Sequence, residues 1–166
     1  MKKFILSVLC FIPLCSALDL TPQPGVSLNQ YLGRWYEQAR YENWFEEDMD
    51  GVYTDYTPRE DSSSIEVNNY GITASGNFKQ ARGRAFSAGN GMLEVSFVWP
   101  YWWFRAPYRI LYVDSQYQAA LVSGDDAKYL WLLTRDKHPA PAVINKLKQE
   151  AQRRGFDTTK LRPTKQ

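Results

Sequence analysis

The chain has 166 residues with 20 Lys+Arg, 18 Asp+Glu, one His and two Cys, which is the length of one ordinary domain. Lys2 and Lys3 account for the small basic excess, so residues 18–166 are charge-balanced and lack the electrostatic footprint of a nucleic-acid binder. Both cysteines, Cys10 and Cys15, lie in the first seventeen residues, and residues 18–166 therefore offer no thiol nucleophile, disulfide or cysteine metal site.

The N-terminal segment carries two lysines, an apolar run over residues 4–14 and the small pair Ser16-Ala17. This pattern predicts a signal peptide over residues 1–17, cleaved after Ala17, and an exported single domain over 18–166. The apolar run is too short for a transmembrane helix, which takes ~20 residues. A lipoprotein acceptor cysteine follows a small residue, whereas Cys15 follows Leu14 and Cys10 follows Leu9. The expectation is an exported product without a lipid anchor.

Phe, Trp and Tyr make up 15% of the chain and fall in short alternating segments. Alternation of this kind marks half-buried strands, here over residues 34–41, 51–57, 64–70, 77–87, 92–99, 108–114, 118–123 and 128–134. The separators are turn chemistry, among them Asp48-Met49-Asp50-Gly51, Ser75-Gly76, Gly89-Asn90-Gly91 and Gly124-Asp125-Asp126. Links so short join antiparallel neighbours. After Arg135 the period changes, with Val143, Ile144, Leu147 and Ala151 on one face and Lys146, Lys148, Gln149 and Arg153 on the other. An amphipathic helix fits, with Pro141 in its first turn and Gly155 as its stop. Residues 156–161 are expected to form a short outer strand, and the polar tail 163–166 to fray. The fold class is all-β: an eight-stranded antiparallel up-and-down barrel with one C-terminal α-helix packed outside, closure being what removes the sheet edges.

Three passages give this barrel a family resemblance. Tyr31-Leu32-Gly33-Arg34-Trp35-Tyr36-Glu37 opens the first strand, Val113-Asp114-Ser115-Gln116-Tyr117 forms a turn, and Leu130-Trp131-Leu132-Leu133-Thr134-Arg135 ends the eighth strand. Together they resemble the lipocalins, and within that family the bacterial outer-membrane lipocalins of the Blc type and apolipoprotein D. The resemblance implies that Gly33, Trp35, Asp114 and Arg135 are structural: Trp35 plugs the closed end of the barrel, and Arg135 lies over it.

With Trp35 at the closed end, the loops after strands one, three, five and seven rim the mouth. Six rings, Trp44 and Phe45 in the first loop and Tyr101, Trp102, Trp103 and Phe104 in the third, are expected to converge there as a membrane-facing rim. Alternation turns Leu93, Val95, Phe97 and Trp99 inward from strand five. The parity of Arg135 carries Tyr129, Trp131 and Leu133 inside and leaves Leu130 and Leu132 for the helix. That of Trp35 carries Glu37 and Ala39 inside, where Glu37 would pair with an arginine near the closed end. By resemblance, Val52, Thr54, Tyr56, Tyr108, Ile110, Tyr112, Ala120 and Val122 also face the interior. The expected ligand site is Val52, Thr54, Tyr56, Leu93, Val95, Phe97, Trp99, Tyr108, Ile110, Tyr112 and Trp131.

Catalysis lacks a constellation. His138 is a single histidine beside Pro139, and Glu46, Glu47, Asp48 and Asp50 lack the ligand register of a calcium loop. No cofactor, metal site or catalytic residue is expected. The main expectation is a non-enzymatic, exported carrier of a small hydrophobic ligand, with the resemblance implying lysophospholipids or fatty acids, a periplasmic or outer-membrane-associated location and a part in cell-envelope maintenance. Expected partners are that ligand and a membrane surface, with a homodimer possible and no nucleic acid. The competing class is an interaction protein whose aromatic mouth binds a protein partner without lipid cargo.

Overall fold

The computed structural model describes residues 17–60, 64–98, 101 and 103–166. Residues 1–16, which include Cys10, Cys15 and all but the last residue of the expected signal peptide 1–17, lie outside the described residues, as do Trp99 and Trp102.

A single turn of helix, α1 (Leu28–Tyr31), crosses the closed end and feeds β1 (Gly33–Tyr41). Gly33 takes φ +94°, and a Cβ there would stand 3.2 Å from Arg135 Nη1. Glycine therefore supplies both the turn into the strand and the room for the guanidinium. The wall continues through β2 (Met49–Pro58), β3 (Ile65–Thr73), β4 (Phe78–Gly89), β5 (Met92–Ser96), β6 (Ala106–Val113), β7 (Ala119–Ser123) and β8 (Leu130–Thr134). Each strand pairs antiparallel with the next, and β8 returns to β1. The eight-stranded barrel is closed by β1 pairing with β2, from Gly33↔Tyr56 to Tyr36↔Tyr53.

Above Tyr36 the two strands part, and β9 (Leu161–Pro163) takes over as the partner of Ala39–Tyr41. The residues after β9 bridge the gap. Thr164 N–H donates to the Gln38 carbonyl (3.0 Å), Gly51 N–H to the Lys165 carbonyl (2.6 Å), and Gln166 Nε2 to the carbonyls of Glu37 (2.5 Å) and Val52 (2.8 Å). The expectation of a fraying tail is corrected: residues 161–166 form part of the wall because they satisfy backbone groups that the splayed strands leave open.

Register shifts interrupt four of the strand pairings, and two of them decide which side chains face the interior. One lies between Glu37 and Ala39 on β1 and the other between Ile110 and Tyr112 on β6. An extra residue reverses every side chain beyond it. Ala39 therefore packs in the outer layer and buried Arg40 follows Glu37 on the inner side, while Tyr112 turns out beneath the helix and Val113 turns in.

The outer layer is α2 (Pro141–Arg153), whose Val143, Ile144, Leu147 and Ala151 meet Leu111, Leu121, Leu130 and Leu132. It ends in a left-handed cap, where Gly155 (φ +88°) donates to Gln152 and Phe156 N–H to Ala151, burying Phe156 against the helix. Truncating fully buried Leu147 to alanine would remove ~2–5 kcal/mol. No helix among the described residues is long and apolar enough to cross a membrane.

Candidate ligand-binding site

The bottom of the barrel is solid. Trp35 is fully buried, donates from Nε1 to the Tyr31 carbonyl (2.8 Å), and lies 4.0 Å beneath the Arg135 guanidinium. Arg135 in turn donates to the carbonyls of Arg34, Gln30, Tyr31, Leu32 and Tyr117, tying α1, β1 and the β6–β7 turn together. Asp114 holds that turn by accepting from Gln118 N–H (2.8 Å), with Tyr117 at φ +55°.

Above this plug, Tyr56, Val67, Ala85, Leu93, Ile110, Val122 and Leu133 form a buried floor. Three hydroxyls cross it: Tyr108 Oη stands 2.9 Å from Tyr31 Oη and accepts from Tyr56 Oη at 2.8 Å. Burial raises all three phenols above their ordinary range, so they remain neutral hydrogen-bonding groups. Tyr56 and Tyr108 stand in the expected lining, whereas Tyr31 and the hydroxyl network carry no signal in the strand alternation.

Higher up, inward-facing side chains keep accessible surface. Thr54, Asn69, Val95, Tyr108 and Trp131 are half-buried although they point into the barrel, and Phe97 is 43% exposed on the inner side of β5 beyond Ser96. The β3–β4 wall carries the small residues Gly71, Ala81, Gly83 and Ala85 on this side, and Met49 and Val52 pack over Gly71 as Phe97 does over Gly83. Gly83 is required there, since a Cβ would stand 2.6 Å from Phe97 Cδ1.

Of the sequence-expected lining, Val52, Thr54, Tyr56, Leu93, Val95, Phe97, Tyr108, Ile110 and Trp131 lie on the inner side. Tyr112 does not: the β6 bulge places its ring near Lys146 Nζ, 5.7 Å from the ring centre. Trp99 lies outside the described residues.

A polar cluster occupies the upper wall. The Arg40 guanidinium, fully buried, donates through Nη1 to Glu37 Oε1 (2.7 Å) and Thr164 Oγ1 (3.3 Å), and through Nη2 to the carbonyls of Glu46 (2.5 Å) and Met49 (3.1 Å). Thr164 also donates to Glu37, while Glu46 Oε2 accepts from Trp131 Nε1 at 3.0 Å. Burial, with help from the neighbouring Glu46 charge, pushes Glu37 up to about 7 against the downward pull of Arg40. The expected Glu37–arginine pair thus exists, but its arginine comes from the same strand above the bulge and not from the closed end. Nothing in the residue pattern marked Arg40 or Thr164 as interior, because a regular strand puts Arg40 outside.

At the mouth Trp44 is 81% exposed, Trp103 67% and Phe104 62%. The expected convergence of the rim rings is corrected to two groups among the described residues. Phe45 leans inward on Tyr129 and Trp131, with centroids 5.9 and 6.4 Å away, while Tyr101, Trp103 and Phe104 pack on one another. Trp102 lies outside the described residues. Among those described, no group of three or more His, Cys, Asp or Glu side chains could hold a metal ion.

A floored antiparallel barrel with aromatic side chains along its inner face is the architecture of barrels that hold a small ligand. A family model described as a lipocalin-like domain matches residues 26–166, and the chain belongs to the lipocalin family. It is 34% identical over 164 residues to the outer membrane lipoprotein Blc of Vibrio cholerae, covering 91% of this chain and 94% of that protein. It is 30% identical to mouse apolipoprotein D over 164 residues, covering 90% and 84%. The fold is similar to that of the cockroach allergen Per a 4 (TM-score 0.72, 23% identity, 88% and 92% covered).

Proposed function

We propose that the chain is an exported, non-catalytic carrier of single-chain lipids, lysophospholipids or fatty acids, serving cell-envelope maintenance. The observation that carries this reading is the row of inward-facing, partly exposed side chains above the tyrosine floor, Thr54, Val95, Tyr108 and Trp131. An acyl chain gains ~0.8 kcal/mol per buried methylene. Ten methylenes give a gross gain of about 8 kcal/mol before ordering costs, which an apolar interior of this kind supplies without chemical selectivity. The outer-membrane name of the Blc relatives supports an envelope location. Their lipoprotein name runs against the expectation of an unlipidated Cys15, and the mass of the mature protein separates cleavage after Ala17 from a diacylglycerol-modified Cys15.

The test of the carrier reading is solvent extraction of the purified protein and mass spectrometry of the extract. Near-stoichiometric single-chain lipid supports the carrier. Its repeated absence favours the second reading, a partner-binding mouth, for which the exposure of Trp44, Trp103 and Phe104 is the motivating observation.

A further inference from the structure

Glu46 is the one acidic side chain of the mouth loop between β1 and β2 that turns inward among aromatic rings. Its side chain is only 12% exposed, whereas Glu47 and Asp48 lie in solvent. Oε2 accepts from Trp131 Nε1 at 3.0 Å and from Asn43 Nδ2 at 2.6 Å, and stands 4.0 Å from Arg40 Nε. That Nε is buried and has no hydrogen-bond partner, while the other two guanidinium nitrogens are used. A buried donor of a charged group left open in this way is energetically expensive. The Glu46 carboxylate, at 4.0 Å, is too far away to satisfy it.

The chemistry of this place is one-sided. An indole N–H and a guanidinium N–H only donate, so an occupant must present lone pairs. A cation would stand against Arg40 and find no acceptor once Glu46 had left. Glu46 is held there by Trp131 and Asn43 and leaves Arg40 Nε unserved, so an acceptor that reaches both donors can take its place. Trp131 lines the interior and Phe45 leans on it, so the place lies where the head of a chain lying in the barrel would come to rest.

We propose that Trp131 Nε1 and Arg40 Nε form an anion seat for the carboxylate or phosphate head of a bound amphiphile, and that Glu46 is a displaceable stand-in which the head exchanges for solvent. The seat rests on the carrier reading and adds to it a head-group class and a competing residue. Ligand entry then releases the mouth loop from Trp131, while the Arg40 contacts to the Glu46 and Met49 carbonyls keep the loop tethered.

The experiment measures dodecanoate, dodecyl phosphate and dodecanol binding to the delipidated mature protein by titration calorimetry, below their micellar concentrations. Glu46→Gln keeps the size of the side chain and removes its charge. It should raise the ratio of anionic to alcohol affinity about tenfold, the effect of one lost charge-assisted competitor. Glu47→Gln makes the same charge change on the exposed side of the loop and should move the ratio far less. Trp131→Phe, which keeps a ring and loses the donor, should lower it. A gain for one anion alone identifies its head group as the one the seat takes. Equal gains in Glu46→Gln and Glu47→Gln overturn the seat in favour of the general field of the mouth, and so does an unchanged ratio in both Glu46→Gln and Trp131→Phe. If none of the three compounds binds any form of the protein, the carrier reading fails and the seat with it; dodecanol binding without the ratio change overturns the seat alone.

Discussion

Arg135 spans the closed end of the barrel: its guanidinium lies 4.0 Å over the Trp35 ring while its nitrogens serve five backbone carbonyls of α1, β1 and the β6–β7 turn. The contact replaces a sheet edge with a plug, and its loss would leave both an apolar void and unpaired carbonyls.

Trp35→Ala and Arg135→Ala should therefore lower stability strongly, by ~3–5 kcal/mol for the tryptophan, while ligand preference among bound lipids stays the same. Urea denaturation midpoints check this. Midpoints equal to wild type would remove the plug role from both residues.

Glu37 links stability to pH. Its folded value of about 7 lies above the ordinary 4.5, so between these values the folded chain holds a proton that the unfolded chain releases. Stability therefore falls as pH rises through this window, by roughly 3 kcal/mol once pH exceeds the folded value. Glu37→Gln should match wild type near the acid end of the window and exceed it at the alkaline end. Thermal melts of both proteins across the window decide the matter, and parallel profiles would show that Glu37 ionises normally.

Trp131 lies on the inner side of β8, whereas Leu130 and Leu132 face the helix. A brominated lysolipid held in the barrel should quench its fluorescence, and Trp131→Phe should lose most of the quenchable signal. A profile unchanged by the substitution places the bound chain away from β8.

For the rim, Trp103→Ser with Phe104→Ser removes two exposed rings whose ring contacts, among the described residues, lie within their own loop. The barrel should stay folded, with unaltered far-ultraviolet dichroism, while lipid transfer between vesicles slows if this edge docks on the bilayer. Transfer as fast as wild type by an equally folded variant assigns docking elsewhere.

Much of the architecture was legible because it rests on local chemistry. The period-2 aromatic segments, the Gly- and Asp-rich turns and the Pro141-to-Gly155 helix each carry their own signal, and Trp35 with Arg135 orients the barrel. What the tertiary structure alone decided are the places where strand regularity breaks. The β1 bulge at Gln38 exchanges Ala39 for Arg40 on the inner side, and the β6 bulge sends Tyr112 under the helix. Neither bulge has a glycine or proline to announce it, and both arise from the register between strands that meet only on closure. The same holds for Thr164, which lies 124 residues from Arg40 along the chain and reaches it because β1 and β2 part and leave donors and acceptors for residues 161–166 to satisfy. The residues of one strand determine which way that strand alternates, and only the closed sheet decides where the alternation is interrupted.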